Sequence, residues 1–242
     1  MEVYSPEGLR ADGRRWNEVR NFKCHINTHQ NSSDGSSYVE MGNTKVVCLV
    51  SGPMESPSSG RKPNSSSNLT VSISMPSFVS NSRKKFKKND KRIQELCIFL
   101  VKTFEQIVIM KNYPRTIISI SIVVLSQDGG LLPSCVNAIT LALIDAGISM
   151  YDYVSSINVG LYDTTPLLDL NHLEENDLSF LTLGVVGKSE KISLLLLEDK
   201  LSLDNLEKLL AIGIVGCHRI RDIMDQEIRR HGNLRLSKIT NK

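Results

Sequence analysis

The hydrophobic pattern of this chain changes period at Asp90, and that change limits it to a mixed architecture. Before Asp90, short runs at 23–28, 37–41, 45–50 and 69–74 have the texture of strands, with Asp34-Gly35 and Gly42-Asn43 as hairpin turns. After it, Ile93, Leu96, Leu100, Phe104, Ile107 and Val108 follow three-and-four spacing behind Asp90 as an N-cap. That predicts an amphipathic helix ending before Tyr113-Pro114. Residues 116–125 alternate Ile with Ser and then become fully apolar, as in a strand half covered and then buried. A second helix is expected over 134–145, closed by Gly147, then strands near 155–162, 181–186 and 192–197. The last helix begins near Ser202 and carries Leu206, Leu209, Leu210, Ile214, Cys217, Ile220 and Met224 on one face. The order predicts an α/β (α+β) fold with mixed β-sheets and helices packed on them, not a doubly wound alternation.

The 242 residues allow one large domain or two modest ones, ample for a core without a disulfide or metal staple. A 40% apolar and 23% charged composition excludes a disordered tail, a collagen and a histone-like polycation. The net charge of +3 is small, so any nucleic-acid contact must come from local clustering. Apolar runs such as Leu194-Leu195-Leu196-Leu197 fall far short of the roughly 20 residues of a spanning helix. The first residues lack the pattern of a signal peptide. Cys24, Cys48, Cys97, Cys135 and Cys217 are scattered, with no CxxC pair, and read as buried hydrophobes in a reducing compartment; no metal site is expected.

No P-loop, GxSxG, HExxH or helix-opening GxGxxG is present. Three stretches could carry chemistry. Arg83 to Arg92 holds seven basic residues in ten with one acid, which reads either as a solvated loop or as a stripe contacting phosphates. Lys91 and Arg92 stand out there, because positive charge in a helix's first turn opposes the dipole unless an anion shares the site. Asp128-Gly129-Gly130 before a helix can present amides to phosphate, but Leu131-Leu132-Pro133 supplies neither charge nor hydroxyl, so a packing turn is the better reading. The acidic stretch Asp169 to Asp177 fits a metal or acid–base role, or equally a solubilising hairpin loop.

Several motifs resemble ribonuclease PH-type proteins, in the family's order. They are Gly8-Leu9-Arg10-Ala11-Asp12-Gly13-Arg14, the run Gly35 to Val46, Tyr113-Pro114-Arg115-Thr116, Gln127-Asp128-Gly129-Gly130 and Ala142 to Gly147. The likeness runs from about Ser5 to Arg230. Tyr4 to Arg10 and Gly160 to Pro166 are similar to one branch of the eukaryotic RNA exosome ring, the counterpart of the archaeal exosome's catalytic subunit. The resemblance implies a single ribonuclease PH-like domain over 1–242, in a six-membered ring around an RNA channel; within it the Ser-, Pro- and Gly-rich stretch 53–68 and the basic stretch 79–90 read from composition as mobile loops. It implies ring neighbours of the same fold, cap proteins, hydrolytic 3′-to-5′ ribonucleases and single-stranded RNA as partners. No membrane and no cofactor are implied. Nucleus, nucleolus and cytoplasm are the expected locations.

Active members of the family phosphorolyse RNA from its 3′ end, holding phosphate with a Ser/Thr-Arg pair after the Gly-rich turn. This chain has Leu131 and Leu132 there, and leucine cannot replace a guanidinium fork. Aligned backwards from residues 192–197, the family's Glu and Asp fall on Leu178 and Phe180, although one gap brings Asp177 into the site. No catalytic residue is therefore expected, and Leu131, Leu132 and Phe180 are expected to fill the phosphate hollow. Lys91 and Arg92 match the basic pair that touches RNA in the lower channel, and Arg61 and Lys62 lie in the loop that by resemblance enters the pore. The competing readings are an active phosphate-dependent exoribonuclease, and a basic loop that binds an acidic protein.

Overall fold

The computed structural model describes residues 4–5, 7–55, 69–79, 83 and 90–240. Alternating burial builds the first sheet. Strands β1 (Phe22–Ile26), β2 (Gly35–Met41) and β3 (Thr44–Glu55) form an antiparallel meander whose inward side chains include Cys24, Val39, Met41, Val46 and Cys48. Strand β5 (Thr116–Ser126) pairs antiparallel with β3, and β4 (Leu69–Ser74) adds parallel to β5 at the edge. A parallel pair needs a crossover. Helix α1 (Lys91–Ile107) supplies it, burying Ile93, Leu100, Phe104 and Ile107. The sheet order is β1-β2-β3-β5-β4.

The second sheet is antiparallel, in the order β7-β6-β8-β9. Its strands are β6 (Val154–Tyr162), β7 (Thr165–Leu168), β8 (Ser179–Val186) and β9 (Ile192–Leu197). Helix α2 (Leu131–Asp145) lies between the two sheets and touches β2, β3, β6 and β8. Apolar on every side, it has no face to give to water, and residues from Leu132 to Leu143 are all buried. Its polar members are satisfied inside. Asn137 Nδ2 donates to the Ser156 carbonyl (3.0 Å), its Oδ1 accepts from the Ser156 amide (2.9 Å), and Thr140 Oγ1 donates to the Val154 carbonyl (3.0 Å). Helix α4 (Leu203–Thr240) covers the outer face of the second sheet through Leu209, Cys217, Ile220 and Met224.

The expected elements form, with strand β7 added to them and four further differences. Pro53 to Glu55 continue β3 after a bulge, with Met54 opposite Ile117, so the expected 53–68 loop starts later; residues 56–68, with Arg61 and Lys62, lie outside the described residues. Val79, expected in a mobile loop, is only 5% exposed, and Asp90 caps α1; between them 80–82 and 84–89 also lie outside the described residues. Helix α2 begins at Leu131 rather than Ser134, because Gly130 takes a left-handed conformation (φ 64°) that turns the chain straight into the helix. The acidic stretch is not a hairpin loop. It contains β7's exit and helix α3 (His172–Asp177), started by a capping box in which Asn171 and Glu174 satisfy each other's backbone amides.

Candidate functional site

A cleft of about 720 Å³ opens where the N-termini of α1 and α2 meet α3 and the first residues of β8. Leu131, Leu132, Leu178, Phe180, Asp177 and Arg92 all line it. Residues separated in sequence by up to 88 positions (92 to 180) are thus brought to one hollow. The leucines and the phenylalanine were expected to fill this space. Instead they form part of its wall and leave it open. Lys91 is exposed at the start of α1, beside Arg92, whose amide is capped by Asp90 Oδ1 at 3.3 Å. No acid lies in that first turn.

The turn before α2 is held from beneath. Thr44 Oγ1 donates to the Gly129 carbonyl (2.6 Å) and accepts from the Asp128 amide (2.9 Å). Arg20 lies behind Gly130, and a Cβ placed there would sit 2.9 Å from its Nη2. Its guanidinium is committed elsewhere: Nε and Nη2 donate to Asp169 Oδ1 at 3.0 and 2.7 Å, and Nη1 donates to the Asp128 carbonyl at 2.5 Å. Asp169 is fully buried and also accepts the Arg20 amide at 2.7 Å. The arginine nearest the glycine turn therefore faces inward.

Sequence reasoning missed Glu175. Its Oε1 accepts the Gly130 amide at 2.6 Å and Asn158 Nδ2 at 2.5 Å, so a carboxylate sits on the backbone that opens α2. Burial pushes its pKa above the usual carboxyl value, against the pull of those two donors, Arg20 and His172. The cleft wall as a whole is acidic, with Glu95, Glu175, Asp177, Glu198 and Asp199 against Arg92 and His172. The spacing Asn171-x-x-Glu174 is a helix-start signature and would have revealed α3, though not what its third residue from the end touches.

The opening motif earns its place through the same element. Arg10 forms a buried ion pair with Glu174 and donates to the carbonyls of Leu168 (2.5 Å) and Asp169 (2.9 Å). Arg14 donates to the Asp169 carbonyl (2.9 Å) and to Asn171 Oδ1 (3.1 Å). These arginines strap the N-terminal segment over the β7–α3 junction and fix the helix that carries Glu175. Among the described residues, no group of three or more His, Cys, Asp or Glu is placed to hold a metal, and no helix is long and apolar enough to cross a membrane.

Models described as "3′ exoribonuclease family, domain 1" and "domain 2" match residues 18–149 and 152–216. The chain is 58% identical over 238 residues to the exosome complex component SKI6 of Saccharomyces cerevisiae, covering 98% of this chain and 97% of that protein. It is 35% identical over 233 residues to the exosome complex component RRP41 of Homo sapiens, covering 96% and 95%. Rice Rrp46 has a similar structure, with a TM-score of 0.80 at 27% identity, covering 91% of this chain and all of that one. An Archaeoglobus fulgidus exosome structure with RNA bound to the active site shares the fold at a TM-score of 0.74 and 20% identity, over 89% and 92% of the two chains.

Proposed function

The chain belongs to the 3′ exoribonuclease, or ribonuclease PH, family, and from that premise we propose that it is an exosome ring subunit that guides RNA without cutting it. The observation that carries the non-cutting half is the state of the turn at Gly130. Two leucines follow it, and the one guanidinium behind it, that of Arg20, is bonded to Asp169 and to the turn's own carbonyls. Phosphorolysis needs positive donors on the attacking phosphate as charge develops, and removing a single such donor costs about 100- to 1,000-fold in rate. Leu178 and Phe180 in the cleft lining carry no acid; the carboxyls nearest to them there in sequence belong to Glu175 and Asp177.

The RNA half rests on Arg92, which lines the cleft, and on Lys91, exposed beside it, with no acid in the first turn of α1. Contacts of this kind are made to phosphates and are indifferent to sequence, which suits threading of any transcript. Arg61 and Lys62 are proposed to join them from the 53–68 segment. The related exosome components fit a hetero-oligomeric ring with similar neighbours, cap proteins and hydrolytic 3′-to-5′ ribonucleases, acting in nucleus, nucleolus and cytoplasm on rRNA processing, mRNA turnover and RNA surveillance.

The second reading, an active phosphorolytic exoribonuclease, is favoured by Asp177 and Arg92 sharing one cleft. The assembled complex incubated with RNA and inorganic phosphate separates the two. We expect no nucleoside diphosphate from this subunit. Release that disappears in Asp177→Ala would establish the second reading instead.

A further inference from the structure

The N-terminus of α2 already contains an anion. The backbone amides that open a helix lack intrahelical acceptors and carry the positive end of its dipole, which is why phosphates settle there. In this chain the Gly130 amide is spent on Glu175 Oε1 at 2.6 Å, and the same oxygen takes a second donor, Asn158 Nδ2, at 2.5 Å. Arg20 lies behind the turn, bonded to the carbonyls of Asp128 and Gly129 and paired with the buried Asp169. One carboxylate thus takes the N-cap amide and the side-chain donor beside it, both of which an incoming phosphate would use.

We propose that Glu175 is the resident anion of this cleft and that it excludes inorganic phosphate and RNA phosphates from the α2 N-terminus. The inference rests on the non-cutting reading given above and supplies its cause: the site is not merely stripped of donors but closed by an internal occupant. The surroundings act in the same sense. Glu95, Asp177, Glu198 and Asp199 line the cleft with Arg92 and His172 as its cations, so an anion that displaced Glu175 would meet like charge around it. RNA held by Lys91 and Arg92 at the start of α1 is thereby kept from lodging at the α2 N-terminus, which favours passage over arrest.

Equilibrium dialysis of the assembled complex against radiolabelled orthophosphate, at constant ionic strength, tests this. Glu175→Ser shortens the side chain and frees both donors. The variant is expected to bind one more phosphate per chain than the wild type, with affinity at that site raised about tenfold, the size of a partly buried charge effect at a helix terminus. An assembled Glu175→Ser complex that binds no more phosphate than wild type would reduce Glu175 to a helix cap and overturn the proposal. A measurement on the unaltered complex covers the case in which the variant does not assemble. Wild-type particles equilibrated with tungstate and imaged by cryo-electron microscopy are expected to show no heavy anion beside the Gly130 amide, and one there would equally overturn it. Neither readout involves RNA cleavage, so diphosphate release in the assay above would defeat the functional reading while leaving these two outcomes to be decided on their own.

Discussion

Glu175 shows how a single side chain can be both well bonded and unfavourably charged. Two donors hold its Oε1, yet burial raises its pKa above the usual glutamate value. A carboxyl whose folded-state pKa is raised binds more protons folded than unfolded in the window above the unfolded value. Its stability contribution is fully present below that value and is lost as pH rises through the folded one. Glu175→Gln keeps an acceptor for both donors and removes the titration. Measured by urea denaturation between pH 4.5 and 7, the variant is expected to gain stability relative to wild type as pH rises. Parallel curves would show that the carboxyl titrates as an ordinary glutamate. Little of this was legible in the sequence, where Glu175 is one acid among several in Asp169 to Asp177. The same holds for Arg20, which reads as an ordinary basic residue until Asp169 is brought to it from 149 residues away.

At the scale of elements the sequence was far more informative. Helix α1 and strand β5 lie where the spacing of Ile and Leu placed them, because each exposes one face and buries the other and so must carry its period in the residues themselves. Helix α2 is the exception at its start. Buried on every side, it has no polar face to mark where it begins, and the left-handed Gly130 sets the boundary. Its other end makes the tightest contact with the first sheet. A Cβ on Gly35, the first residue of β2, would lie 2.3 Å from the Ala142 carbonyl and 2.6 Å from the Ala146 amide. Both obstacles are backbone, so neither can rotate away. Gly35→Ala is expected to cost about 3 kcal/mol or more, at the upper end of overpacking penalties, in chemical denaturation. A loss under about 1 kcal/mol would mean that β2 and α2 can separate slightly at no charge to the core. The six residues of helix α3 are too few to show a period, so the hydrophobic pattern does not mark it, although its capping box is present in the sequence.

For the whole molecule, a net charge of +3 conceals a locally acidic cleft, lined by Glu95, Glu175, Asp177, Glu198 and Asp199 against Arg92 and His172. If Lys91 and Arg92 act on RNA phosphates, replacing both with alanine weakens binding of single-stranded RNA and flattens the plot of log affinity against log salt by about 1.4, or about 0.7 per lost contact. Size-exclusion chromatography should show unchanged assembly, since both side chains stand clear of the core. An unaltered salt slope would remove these residues from the RNA path. What the sequence determined by itself was the class of fold and the family, because periodicity and local motifs are written in neighbouring residues. Only the tertiary structure decided that the hollow stays open and that Glu175, 45 residues from Gly130, sits at its head. A hydrogen bond across that separation leaves no mark in either local stretch, since it comes into being only when β6, β8 and α3 pack against the start of α2.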